Sequence, residues 1–206
     1  MKCVCCLLVL QLYIIQRRVS LFCAIFGIYS FIDNNLLLIA GEKYGISPGL
    51  MNEYDEKKGS SFLYGIGMLA DGYTSEDRIM LPYKLFQAQK EAILRLMGEE
   101  GSCIFVGRCA DQILKDRKDV LKVFIYASEM EDRVNRIKGL DNISQRQALD
   151  RIAVKDKQRK DYYQFHTGQE WGRKENYDLC LNTSMLGYET CVDIIAALAV
   201  KEDEEA

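Results

Sequence analysis

The chain has 206 residues, 49 % of them hydrophobic and 28 % charged, an ordinary balance for a globular protein with a full-sized core. Its formal net charge of −3 argues against a dedicated DNA or RNA binder, whose footprint is basic. Any recognition of phosphate must therefore come from a local group of arginines. One histidine among eight cysteines does not meet the usual zinc-site spacings, so no metal site is expected. Cys103, Cys109, Cys180 and Cys191 fall in or beside apolar runs, and a reduced, cytoplasmic chain is the simplest reading.

The chain opens on two apolar runs, CVCCLLVLQLYII (3–15) and VSLFCAIFGIYSFI (19–32), split by Gln16, Arg17 and Arg18. Each is shorter than a membrane span requires. Only Lys2 precedes the first and no small-residue cleavage site follows it, which counts against a secretory signal. A buried strand and helix, or an aberrant start, is favoured over an anchor.

From Asp33 the pattern settles. DNNLLLIAGEKYG predicts an Asp-capped helix stopped by Gly45, with ISPG as the next turn. Residues 52–80 are polar and glycine-rich and predict short helical pieces and loops. Leu85, Phe86, Ile93, Leu96 and Met97 recur at helical spacing over 83–97. The strand SCIFV follows, then the Gly107-Arg108 step and a helix over about 110–114. VLKVFIYAS (120–128) predicts a second strand, with Ser128 capping a charged helix closed by Gly139. A long polar helix is expected over about 144–163, then a turn-prone stretch, the strand LCLNTS and a last helix over 187–200. KEDEEA (201–206) reads as a solvated acidic tail.

Short apolar strands alternating with helices indicate a parallel sheet covered on both faces. Ligands of such sheets bind beyond the carboxyl ends of the strands, which selects Arg108, Ser128 and the residues after Asn182 as rim positions. Arg108 could simply snorkel into solvent. Because it follows a glycine and precedes a helix, its guanidinium and nearby backbone N–H groups could instead face one anion. Nine basic residues lie between Arg133 and Lys160, interleaved with Asp150, Asp156 and Asp161. A solvated helix pair with i,i+4 ion pairs would explain them. So would a flap whose guanidinium groups close over phosphate oxygens two at a time. Arg133 with Arg136, and Asp156 with Arg159, each share a helical face.

Four segments, VGRCAD, VFIYAS followed by R-x-x-R, DKQRKDYYQFHTGQEWG and ENYDLCLNTS, resemble the cytidylate kinase-like family, relatives of the nucleoside monophosphate kinases. The resemblance covers about 33–200 and is most specific in its second half. It implies an α/β fold of three layers with a parallel sheet of the P-loop kinase type. A nucleotide-binding insertion would occupy about 46–80 and an arginine-rich lid about 129–172, with 1–32 as an atypical apolar segment. By the same resemblance Gly107 and Arg108 match the monophosphate-binding step, and Asp111 lies near a base- or ribose-contacting position. Arg133 and Arg136 match the start of the lid, and Arg151, Asp156 and Arg159 its arginine and aspartate positions. The implied reaction transfers the γ-phosphoryl group of ATP, with Mg²⁺ bridging the phosphates, to a nucleoside monophosphate such as CMP. Tyr162, Tyr163 and Trp171 could stack on a base, although packing is favoured for them. His166 reads as a loop residue rather than a catalyst.

One part of such an enzyme is not legible. The sequence has no Gly-Lys dipeptide, and Gly27 is the only glycine in its first thirty residues, so no glycine-rich phosphate loop is recognisable. YGIGMLADG (64–72) lacks a preceding strand, and GQEWGRK (168–174) carries bulky residues inside its turn. The departure from the family pattern is confined to about 1–26, where the first strand, loop and first helix belong. A frame error, wrong start or rearrangement would produce such an abrupt loss, and sequencing upstream DNA in all frames tests this. Three functions remain: a kinase impaired as written, a catalytically inactive nucleotide-binding or regulatory module, and a membrane-attached protein.

Overall fold

The computed structural model describes residues 3–8, 30–32, 75–99 and 103–200. The helix expected over 33–45, most of the insertion at 46–80 and the acidic tail lie outside them. Among the described residues five strands form one parallel sheet: β1 (Cys3–Leu8), β2 (Ser30–Ile32), β3 (Cys103–Val106), β4 (Val120–Tyr126) and β5 (Leu179–Asn182). Their order is β2-β3-β1-β4-β5. The apolar start of the chain thus supplies the middle strand, with Cys5 opposite Phe105 on one side and Lys122 on the other. A first strand is therefore present inside the segment where the sequence departs from the family pattern. Among the described residues no helix is long and apolar enough to cross a membrane.

Alternation along β3 sends its side chains to two separate cores. Cys103 and Phe105 pack with Ala92, Ile93, Leu96 and Met97 of helix α1 (Ser75–Glu99), and with Ala110 and Leu114 at the short helix α2 (Ala110–Ile113). Ile104 and Val106 join Val123, Ile125 and Leu181 against Cys191 and Ala199 of the final helix α5 (Thr183–Val200). In α1 the buried residues Leu85, Ala88, Gln89, Ala92, Ile93, Leu96 and Met97 recur at the period of one helix face. That helix begins at Ser75 rather than near 83. It runs through Pro82, which has no backbone N–H to donate.

Helices α3 (Met130–Asp141) and α4 (Gln145–Thr167) form a pair with a small core of Val134, Ile137, Ala148 and Ile152. Ser144 caps α4: its Oγ accepts from Gln147 N at 3.3 Å, and Gln147 Oε1 accepts from Ser144 N at 2.9 Å. Such a reciprocal box contributes about 1 kcal/mol. Several expected boundaries shift. Glu129, not Ser128, stands at the N-cap of α3, and Gly139 does not stop it. An uncapped glycine inside a helix costs only about 1 kcal/mol, so the helix continues until Asn142 turns left-handed at φ 51°. α4 continues past Tyr163 to Thr167, where Gly168 (φ 69°) ends it, so His166 lies in its last turn rather than in a loop. α5 is broken at Gly187 (φ 72°, ψ 167°), where the sequence places the start of the last helix.

Candidate functional site

Because all five strands run parallel, their carboxyl ends lie along one edge of the sheet, the edge that carries the Gly107-Arg108 step. Gly107, Arg108 and Cys109 all have left-handed backbones, with φ of 69°, 58° and 56°. For Arg108 and Cys109 that conformation costs about 1–2 kcal/mol each. Strain of this kind persists where its surroundings over-determine it. Here Cys109 and Ala110 are buried, and Ile113 N and Gln112 N both donate to Cys109 O at 3.0 Å. The chain leaves β3 sharply, and Arg108 is left half-buried at the rim. Burial pushes the Cys109 thiol far up, with Asp111 adding to the effect and Arg108 opposing it. A thiol so held is no nucleophile.

The next two strand ends are tied to each other. Ser128 N donates to Asn182 Oδ1 at 3.1 Å, and Asn182 Nδ2 returns a bond to Ser128 Oγ at 3.0 Å. Ser184 N donates to the same Asn182 oxygen, and Glu129 N donates to Ser184 Oγ, both at 3.1 Å. Ser128 thus sits at the rim as expected, fixing strand ends instead of capping a helix.

Above this edge the α3–α4 pair gathers three of the expected residues. Arg133 Nη2 lies 2.6 Å from Asp156 Oδ2, and Arg159 Nη1 lies 3.7 Å from Asp156 Oδ1. Two guanidinium groups therefore share one carboxylate. Arg136, one turn beyond Arg133, places its guanidinium 5.2 Å over the Tyr188 ring. Its Nε, Nη1 and Nη2 are buried with no hydrogen-bond partner among the described residues, as are Nε of Arg133 and Nη1 of Arg159. Burial pushes Arg159 down, and the charge of Arg133 adds to this while Asp156 pulls the other way. Arg151 does not join the cluster, because it pairs with Asp141 at 2.7 Å. Lys157 pairs with Asp161 on the outer face of α4, so part of this basic run is a solvated helix face after all.

Asp111 is fully buried behind the Arg108 turn. Its Oδ2 accepts from Tyr163 Oη at 2.5 Å and from Gln112 Nε2 at 3.4 Å, while Oδ1 has no partner among the described residues. Burial raises the Asp111 carboxyl despite these donors, and burial together with Asp111 raises the Tyr163 phenol, which stays protonated and donates. Gln169 Nε2 donates to Gln112 Oε1 at 3.0 Å, and Asn176 Nδ2 reaches Tyr163 Oη at 3.5 Å. Tyr162 donates to the buried Gln89 of α1 at 3.0 Å, and His166 stacks on Phe86 at 4.1 Å. Trp171 meets Phe124 edge-on at 5.9 Å, and Tyr177 stacks on the same ring at 4.9 Å. Tyr162 and Tyr163 are thus engaged by hydrogen bonds within the protein, and Trp171 by the Phe124 ring. Sequence reasoning missed the Tyr163–Asp111 bond and the Tyr188 ring, since neither pair has a spacing that announces it.

The donor set fits phosphate. Five buried guanidinium nitrogens on Arg133, Arg136 and Arg159 can serve anionic oxygens. Among the described residues no group of three or more His, Cys, Asp or Glu side chains could hold a metal ion.

In fold the chain is similar to a crystal structure of an uncharacterized protein from Eubacterium ventriosum ATCC 27560, with a TM-score of 0.67 and 18 % identity. The match covers 98 % of this chain and 100 % of that one. No curated protein matches the sequence. The sequence model of the cytidylate kinase-like family matches residues 28–185, a span that holds the Arg108 turn, the arginines of α3 and α4 and the tied ends of β4 and β5. With more than half of its length so matched, the chain belongs to the cytidylate kinase-like family.

Proposed function

We propose that the protein is a nucleoside monophosphate phosphotransferase of the P-loop kinase type, built as a three-layer α/β domain, with α3–α4 as an arginine lid. An oxygen of the acceptor's phosphate would attack the γ-phosphorus of ATP. The bond to the β-phosphate oxygen breaks, leaving ADP and a nucleoside diphosphate. Such a transfer asks the protein to position groups and offset charge rather than to form a covalent intermediate. The observation that carries this reading is the arginine cluster. Arg133 and Arg159 bring two positive charges to the single carboxylate of Asp156, and Arg136, one turn beyond Arg133 on α3, adds a third guanidinium to the same helix pair. Gly107 and Arg108 at the carboxyl end of β3 would take the acceptor's phosphate, with CMP as the first acceptor to test. Asp111 supports that turn from behind, and Arg151 secures the lid through Asp141. ATP would enter with Mg²⁺ carried on its phosphates, where the ion offsets their charge. The four free cysteines among the described residues favour a cytoplasmic protein.

The segment 9–26, which follows the central strand, contains no glycine. Turnover by this polypeptide is therefore expected to be low, even with the acceptor side intact. The test titrates CMP and ATP–Mg²⁺ separately by calorimetry and then follows ADP formation. CMP binding that is weakened but measurable in Arg108→Ala supports the reading. CMP binding without any ADP formation would move the protein to the inactive nucleotide-binding class. Absence of CMP and ATP binding alike would overturn both.

A further inference from the structure

Two groups proposed to meet phosphate, the Arg108 turn and the α4 arginines, belong to different elements, yet one side chain joins them. The three left-handed residues from Gly107 to Cys109 enter α2, whose first residues are buried, Ala110 and Asp111 both at 0 % exposure. Backbone bonds hold the turn from within, as Ala110 N donates to Gly107 O at 3.1 Å. From outside it is held by the end of α4 and the loop after it. Tyr163 Oη bonds to Asp111 Oδ2, Gln169 Nε2 bonds to Gln112 Oε1, and Asn176 Nδ2 closes on Tyr163 Oη. Tyr163 lies four residues after Arg159, and that spacing puts the two on one face of α4. Arg159 in turn meets Asp156, which holds Arg133. A path therefore runs from Arg133 through Asp156 to Arg159, along one face of α4 to Tyr163, and from its hydroxyl to the residue three places beyond Arg108.

We infer that Tyr163 is a positioning residue: through Asp111 it fixes the backbone turn that presents Arg108, and it ties that turn to the arginine cluster on the same helix. The ligand in this inference rests on the proposed function, while the contact itself does not. A shift of α4 toward phosphate would then tighten the Arg108 turn, so that the two anion-binding groups act together.

The experiment uses Tyr163→Phe, which keeps the ring in its packing and removes only the hydroxyl. Cys109, at 1 % exposure beside Arg108, reports whether the turn opens. Alkylation by iodoacetamide, followed by peptide mass mapping, should be about tenfold faster at Cys109 in the variant, as local opening predicts, with Cys103 and Cys191 unchanged. CMP affinity should fall by roughly tenfold, and in an Arg108→Ala background the same substitution should cost nothing further, the signature of action through one residue. Additive losses would show that Tyr163 acts elsewhere and overturn the inference. So would unchanged Cys109 reactivity, whether or not CMP binds. If wild-type protein binds neither CMP nor ATP, the proposed function fails and the alkylation result still decides the contact. Should Tyr163→Phe not fold, Gln169→Ala, which loosens the same turn at its second tie, should speed Cys109 alkylation about threefold; no change there would also overturn the inference.

Discussion

Asp156 stands between two guanidinium groups, and removing its charge should destabilise the free protein while tightening its grip on phosphate. In Asp156→Asn the shape is kept, but Arg133 and Arg159 lose the carboxylate they share at 2.6 and 3.7 Å. Breaking a fully buried pair by deleting one partner costs about 3–5 kcal/mol. The Arg133 and Asp156 side chains retain 13 % and 22 % exposure, so water recovers part of that, and about 2–3 kcal/mol is expected. For a chain of this size each kcal/mol lowers Tm by about 2–4 °C, giving a fall of about 5–10 °C in chloride buffer. Pyrophosphate supplies the missing charge, so it should restore most of the loss by binding the folded state. Its affinity should exceed that of wild type by about tenfold, because the internal competitor is gone. Scanning fluorimetry and calorimetry with and without pyrophosphate read both quantities. A Tm change under about 1 °C, or an equal loss at every pyrophosphate concentration, would refute the reasoning.

Three further outcomes follow from single positions. Gly172 has φ 80°, and a Cβ there would lie 2.9 Å from Phe124 Cζ, in a ring already held by Tyr177 and Trp171. Gly172→Ala should therefore cost about 2–4 kcal/mol in urea denaturation, combining left-handed strain with overpacking. Adding Phe124→Leu should recover the overpacking share, and no recovery would mean that the ring is not the obstacle. Burial holds His166 down at about 4, against an ordinary 6.5. The folded state thus keeps it neutral, and protonation favours the unfolded chain. Its contribution is complete above pH 6.5 and declines as pH falls from 6.5 toward 4, by about 1–2 kcal/mol after allowance for solvent screening. His166→Phe should flatten that part of the stability profile. Asp111 works in the opposite sense, since its raised carboxyl favours the fold below its ordinary 3.8 and loses that advantage as pH rises through the folded value. Asp111→Asn separates the two.

Local pattern carried the strands and helices of residues 83–200, because alternation and the 3.6-residue period are set by neighbours within a few positions. Phe105 and Val123 could be placed in a core on those grounds. Ends were harder, as at Gly139, where tertiary packing of Val134 and Ile137 outweighs one glycine. The site divided in the same way. Arg133, Asp156 and Arg159 were recognisable because the resemblance named them, and their helical spacing allowed them to meet. Arg151 was named on equal terms, but its partner Asp141 lies at the end of the other helix. The bond from Tyr163 to Asp111 spans 52 positions, and no rule of local spacing reaches that far.

The placement of β1 has a consequence for how the molecule is made. β1 is synthesised before β3 and β4, both of which lie beyond residue 100, yet it sits between them. It must wait with two open edges while the rest of the sheet is synthesised, and pairing between strands so distant in sequence is slow. Without it β3 and β4 share no neighbour, so β2-β3 and β4-β5 are two separate ribbons. Assembly of the sheet therefore waits on a late insertion, in which a strand made early joins two pairs completed after it.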